Sequence, residues 1–408
     1  MVALKPFRAL RPSSESAAQV SAVPYDVVST EEARSAAAGN PLSFLHVSRA
    51  EIDLPDGTNP YSDQVYARAL ENFTRLKAAA PLRRDDSASL YVYRLRMGDH
   101  EQTGVAGCAS LDEYDRDVIR KHERTRKEKE DDRTRHMVTL SAQTGPVFLA
   151  YRDRKAVDAI VARVTASPPA YDFRASDGIQ HSLWRAGPED SESLTREFQD
   201  VPLFYIADGH HRAASSARTR TELAAKKPAS DGSAEYNLFI VVAFPAAQLK
   251  ILAYNRVVQG LGGRSPVEFL AALRKTGPVE ENAPAAPREA GTVSIYLAGR
   301  WHGYRFRKNP GASPIEALDA EALHRQVLAP LLGIGDIRTD KRIDFVGGIR
   351  GPEELRRLVD SGKFDVAFSL YPVSLEQLMA VSDANEIMPP KSTWFEPKLR
   401  DGLLIHEI

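Results

Sequence analysis

The chain has 408 residues, 43% hydrophobic and 27% charged, enough to fill and cover the cores of two or three domains. A formal net charge of −1 excludes a global field that would draw in nucleic acid or an anionic membrane, so any anion site must be built locally. The single cysteine, Cys108, excludes an intramolecular disulfide and leads to the expectation of a reducing cytoplasm.

The opening "MVALKPFRALRP" has no long apolar run, so no secretory leader is expected. "SAVPYDVVSTEEARSAAAGNPLSF" predicts a turn and then a helix. Ser29 or Thr30 caps it, Glu31 and Glu32 sit where the helix dipole favours them, and Gly39-Asn40-Pro41 ends it. A second helix over 59–82 places Val65, Ala69, Phe73 and Leu76 on one stripe. Residues 89–97 read as a strand, and Gly98-Asp99-His100 as a hairpin turn into 103–111. Residues 120–136, "RKHERTRKEKEDDRTRH", form a charge run. A buried strand over 145–153 and a helix over 153–164 follow, the helix broken by Ser167-Pro168-Pro169.

A strand over 202–208 leads into a helix over 212–225, and 226–234 reads as an exposed loop. Residues 236–244 are apolar on both faces, as a central strand requires, and their apolar run is too short to span a bilayer. Pro278, Pro284 and Pro287 make 278–291 the expected linker, dividing the chain into 1–277 and 278–408, with the tail of the second part expected to return to the site. Beyond it come a hairpin over 292–299 and 301–308, a helix from Ile315, a strand over 364–371, a helix over 374–385, and a tail that is mostly loop. Strands and helices mix without repeat, so the class is α+β (mixed α/β).

The stretch "YIADGHHRAASSARTR" (205–220) carries the chemistry. An apolar strand ends in Asp208-Gly209, and a helix with small residues in its first turns begins at once. Gly209 lets the backbone turn sharply and approach a ligand closely. The next N–H groups lie at a helix start, where the helix itself offers no acceptor and the dipole favours an anion. Arg212 can fork onto a phosphate, and His210 and His211 can donate to its oxygens. Asp208 would repel a phosphate unless a divalent cation lies between them. A plain structural reading is also open: Asp208 as a helix cap, Arg212 as a surface charge, and one histidine as a core residue.

The turn resembles the phosphate-binding motif of the ParB/sulfiredoxin superfamily. With "VPYDVVS", "IRKHERTRKEKEDDR", "AYNRVV" and "MPPKSTWFEPKLRDGL", the chain is similar to domain-of-unknown-function family 1015. That resemblance implies a ParB/sulfiredoxin-like nucleotide-binding core with N-terminal and C-terminal α+β additions. The superfamily branch with Asp-Gly-His-x-Arg includes free-serine kinases. The resemblance therefore implies an Mg²⁺-dependent transfer of phosphate from ATP or ADP to the hydroxyl of free L-serine. It implies Asp208 as the Mg²⁺ ligand, Gly209, His210, His211 and Arg212 as the phosphate cradle, and Glu123, beside His122, as the base. Sulfiredoxins need a loop cysteine, and this chain has His210 there, which disfavours thiol chemistry. ParB proteins append a DNA reader, of which no sign is visible.

The charge run holds eight Lys/Arg and five Asp/Glu. It reads either as a solvated helix with pairs such as Glu123–Lys127, or as a basic lid whose Arg120, Lys121, Arg124 and Arg126 clamp nucleotide phosphates. In the tail, Lys391, Ser392, Thr393 and Trp394 suit an amino-acid carboxylate or a base. The alternative is a segment strapped down by Trp394 and Phe395. The leading function is a kinase whose partners are a nucleotide and a small hydroxyl amino acid. A nucleotide hydrolase or nucleotide-gated regulator, and a ParB-like nucleic-acid-binding protein, are the alternatives.

Overall fold

A computed structural model describes residues 2–80, 82–226, 234–307 and 309–408. They fall into two compact units. One comprises Met1–Lys121, Thr125–Leu249 and Pro397–Ile408, and the other His122–Arg124 and Lys250–Glu396. Both mix helices with sheets, so the α+β class holds. Among the described residues no helix is long and apolar enough to cross a membrane.

The first unit is built on an eight-stranded mixed sheet. Its strand order is Ile119–Arg120, Phe204–Asp208, Val147–Tyr151, Leu238–Pro245, His100–Ser110, Tyr91–Met97, Gln180–Arg185 and Tyr171–Arg174. Leu238–Pro245 is central, as its two apolar faces require. It runs parallel to Val147–Tyr151 and antiparallel to His100–Ser110. The sheet's core includes Val105, Leu149, Ile206 and Val241.

A second cluster of the same unit gathers the N-terminal helices. Helix Asp63–Ala79 buries Val65, Ala69, Phe73 and Leu76, the expected stripe. Helix Thr30–Ala37 is capped by Ser29, whose hydroxyl accepts from Glu32 N–H while the Glu32 carboxylate accepts from Ser29 N–H.

The second unit holds a six-stranded antiparallel sheet. Its order is Val279–Glu281, Arg300–Arg305, Thr292–Leu297, Val366–Leu370, Tyr254–Val258 and Ile343–Gly347. The proline-rich stretch 278–291 lies inside this unit, and its first residues form the edge strand, a place where nearby prolines cost no ladder bonds. The chain passes between units at Leu249–Lys250 instead, and returns at Pro397. The helix expected from Ile315 starts at Asp319. Most of the loop expected over 226–234 lies outside the described residues.

Candidate functional site

The strand Phe204–Asp208 pairs with Val147–Tyr151, but the register slips between Ile206 and Asp208, so Ala207 is an extra residue. Such a bulge re-aims the side chain that follows it, here Asp208. Gly209 then adopts φ +92°, which an L side chain resists, and lies close over Val147. Its N–H donates to Asp208 Oδ1 (2.8 Å) and its carbonyl accepts from Ala213 N–H (3.1 Å). The helix therefore begins at His210, two residues earlier than expected, and runs to Lys226. The N–H groups of His210, His211 and Arg212 fall in its first turn, where no carbonyl of the helix can reach them.

Small residues behind the turn let another helix approach. Helix Lys127–Leu140 packs on this face. Ser215 Oγ donates to the Glu130 carbonyl (3.2 Å), and the Ser216 and Thr219 hydroxyls face Met137 Sδ. His211 Nε2 accepts from Arg126 N–H (3.1 Å), which puts the ring proton on Nδ1.

Arg212 departs from the phosphate fork expected of it. It is buried, and its Nη2 donates to both oxygens of buried Asp401 (2.9 Å each). An unpaired buried guanidinium would be costly, and the C-terminal segment supplies the counter-ion. The pair needs space. A side chain on Gly145 would place its Cβ 2.0 Å from Asp401 Oδ1 and 2.1 Å from Arg212 Nη1. Tyr25, from the early Pro-Tyr-Asp, lies with its ring 5.4 Å from the Arg212 guanidinium and 4.0 Å from that of Arg133. Arg133 pairs with Asp132, which accepts from the Tyr66 hydroxyl (2.8 Å for each contact).

The last residues, Pro397–Ile408, belong to the first unit and enter the site. Lys398 Nζ donates to Asp208 Oδ2 (2.6 Å), so the proposed metal ligand already contacts a positive charge. Arg400 donates through Nε to His181 Nε2 (3.1 Å) and also pairs with Asp177. Asp401 exchanges backbone bonds with Ala22, and Gly402 N–H donates to the Thr144 carbonyl. In the sequence these residues stand as "PKLRDG", which begins six residues after the start of "KSTW".

The charge run is split. Arg120 lies in an edge strand and pairs with Asp117 (3.5 Å). Lys121 donates to the Tyr114 carbonyl and to Asp117. Helix begins only at Lys127 and buries Asp132, Thr134, His136, Met137 and Leu140. It is thus no solvated helix along its length, and Glu123 lies ahead of it, outside the helix. The pair seen is Lys127–Asp131.

His122, Glu123 and Arg124 belong to the second unit, whereas Asp208–Arg212 belong to the first. Within the second unit, His122 O accepts from Met388 N–H, and His122 Nε2 lies 3.5 Å from Thr393 Oγ1. The expected substrate residues are engaged nearby. Lys391 adopts φ +58° with Nζ above the Tyr254 ring, and Ser392 Oγ donates to the Pro389 carbonyl (2.7 Å). Trp394 packs edge-on against Tyr254, and its Nε1 donates to Glu396. Cys108 is buried, which pushes its thiol up and leaves it inert.

A family described as "Protein of unknown function (DUF1015)" matches residues 4–321. No curated protein matches the sequence. Solved structures similar to the chain include a free serine kinase in complex with AMP, at 15% identity and TM-score 0.37. That alignment covers 73% of this chain and 91% of that one. A variant of free serine kinase in complex with ADP aligns at 14% identity and TM-score 0.38, covering 73% and 92%. A conserved hypothetical protein from Pyrococcus furiosus aligns at 15% identity and TM-score 0.34, covering 72% and 94%.

Two outcomes follow from this geometry. Gly145→Ala forces Arg212 and Asp401 apart and should lower stability by roughly 1–3 kcal/mol in denaturant titration. Gly335→Ala, where a Cβ meets nothing within 4 Å, should be near neutral. Equal effects would contradict the role of the pair.

The second outcome concerns pH. Burial, with the Arg133 charge added, holds His136 at about 3 against an ordinary 6.5, while its Nε2–H donates to the Val47 carbonyl. Burial and Arg400 push His181 the same way. Both stay neutral in the fold and protonate first in the unfolded chain, so that chain binds more protons as pH falls. Stability should be full above about pH 6.5 and decline toward pH 3, by up to about 1.4 kcal/mol per pH unit for each histidine. His136→Gln should flatten that slope by about one proton. An unchanged slope would contradict the assignment.

Proposed function

The chain belongs to the DUF1015 family of proteins of unknown function, and we propose that it is a nucleotide- and Mg²⁺-dependent kinase of a small hydroxyl metabolite, free L-serine above others. Its support is the turn itself. A bulge aims Asp208, Gly209 turns left-handed, and a helix opens beside them with three N–H groups outside its own bonding. That is a seat for phosphate oxygens. Gly209 leaves room for them, the His211 Nδ1–H adds a donor, and Arg212 acts through its backbone N–H while its side chain fixes the turn to Asp401.

We place a divalent cation at Asp208. The Asp208 carboxylate is a hard oxygen donor whose outer oxygen already holds an ammonium. When bound there, Mg²⁺ would neutralise phosphate charge. In the reaction the acceptor hydroxyl oxygen forms the new bond to the terminal phosphorus, the bond from that phosphorus to the nucleotide breaks, and the hydroxyl proton passes to a base. Glu123, beside His122, is the proposed base. The choice of serine and of this glutamate rests on the resemblance of the turn and of "KHE" to free-serine kinases. Lys391, Ser392, Thr393 and Trp394 remain proposed contacts of the acceptor, and Arg120, Lys121, Arg124 and Arg126 of the nucleotide. ATP and ADP are the proposed donors.

Purified protein with Mg²⁺, a nucleotide panel and an amino-acid panel should produce a new phosphate ester in phosphorus NMR only when a hydroxyl amino acid is present. Inorganic phosphate released without an acceptor would replace the kinase by a hydrolase, and nucleotide left intact throughout would reject both. Glu123→Gln should lower transfer by about 10²–10⁴-fold while nucleotide still binds. Asp208→Asn should raise the Mg²⁺ concentration needed for half-maximal turnover. An unchanged metal titration would remove Asp208 from that role.

A further inference from the structure

Lys398 stands where a cation is wanted. Its ammonium is 2.6 Å from Asp208 Oδ2, and its side chain is 13% exposed against 38% for the aspartate. Its neighbours in sequence are held. Leu399 is buried, Arg400 binds His181 and Asp177, and Asp401 binds Arg212. The backbone is thereby fixed while one long, flexible arm reaches the phosphate turn. Asp208 accepts from Gly209 N–H at Oδ1 and from Lys398 at Oδ2, and a divalent cation taking Oδ2 would meet the ammonium there.

An ammonium and a divalent cation compete for the same carboxylate lone pairs. They do not compete for a phosphate, which can accept from the ammonium and bind the cation together. We infer that Lys398 is an exchangeable cation of this site: it seats on Asp208 when no nucleotide is present, and moves its hydrogen bond to a phosphate oxygen when metal and nucleotide bind. This rests on the reading of the turn as a phosphate seat. It differs from the tail contacts expected at 391–394, because Lys398 meets the phosphate end of the ligand and not the acceptor.

The device predicts effects of opposite sign, which a merely structural lysine would not give. In the full chain, Lys398→Met should bind Mn²⁺ alone several-fold more tightly, read by the paramagnetic resonance of free Mn²⁺, because its competitor is gone. The same variant should bind Mg–ADP about tenfold or more weakly by calorimetry, the worth of one charge-assisted hydrogen bond. Lys398→Arg should restore much of the ADP affinity. If Lys398→Met does not fold, Lys398→Gln removes the charge, keeps a donor for Asp208, and takes the same two titrations. Affinities for Mn²⁺ and ADP that are both unchanged, or that fall together, overturn the inference while leaving the phosphate seat intact. Wild-type protein that binds no Mg–ADP overturns the seat and the inference with it.

Discussion

The buried ion pair between Arg212 and Asp401 is the constraint around which the first unit arranges its turn. It joins residues 189 apart in sequence, both removed from water. Removing one partner of such a pair leaves an uncompensated charge inside, typically a loss of about 3–5 kcal/mol. Its neighbours are consequently constrained. Gly145 must lack a side chain, and the Tyr25 ring lies against the Arg212 and Arg133 guanidiniums. The C-terminal segment must enter the unit to deliver the carboxylate. Once Arg212 is fixed, so is the first turn of its helix, and with it the direction in which the N–H groups of residues 210–212 point.

The motifs divide into those that shape this turn and those that hold other parts of the fold. Tyr25 and the "PKLRDG" segment belong to the first group. "AYNRVV" belongs to the second. Asn255 accepts from Leu370 N–H, and Arg256, fully buried in the strand next to the edge of the second unit's sheet, lies 4.9 Å from the Phe345 ring and donates to the carbonyls of Tyr254 and Pro390. Among the described residues no carboxylate pairs with Arg256, and burial holds its pKa down to about 10. The second half of the charge run is likewise structural: Asp132, Arg133 and His136 face inward and bind Tyr66, Tyr25 and Val47.

What was legible in the sequence was local. The stripe of helix Asp63–Ala79, the Ser29 cap, the central strand Leu238–Pro245 and the strand–Asp–Gly–helix turn all follow from neighbours within a few residues. What was not legible was long-range pairing. No periodicity says that residue 212 meets 401 or that 208 meets 398, so the arginine read as a phosphate fork and the tail lysine went unnoticed. The proline-rich stretch misled because prolines mark loops at a sheet edge as readily as domain boundaries. The passage between units at Leu249–Lys250 has no proline or glycine nearer than Pro245.

The central claim is that the bend from Asp208 to Arg212 receives phosphate. Hydrogen–deuterium exchange of peptides covering 204–216, with and without Mg–ADP at a concentration where calorimetry reports binding, tests it most directly. The account predicts slowed exchange confined to the amides that open the helix at His210. Bound nucleotide with exchange at this bend unchanged, and protection appearing elsewhere, would contradict it.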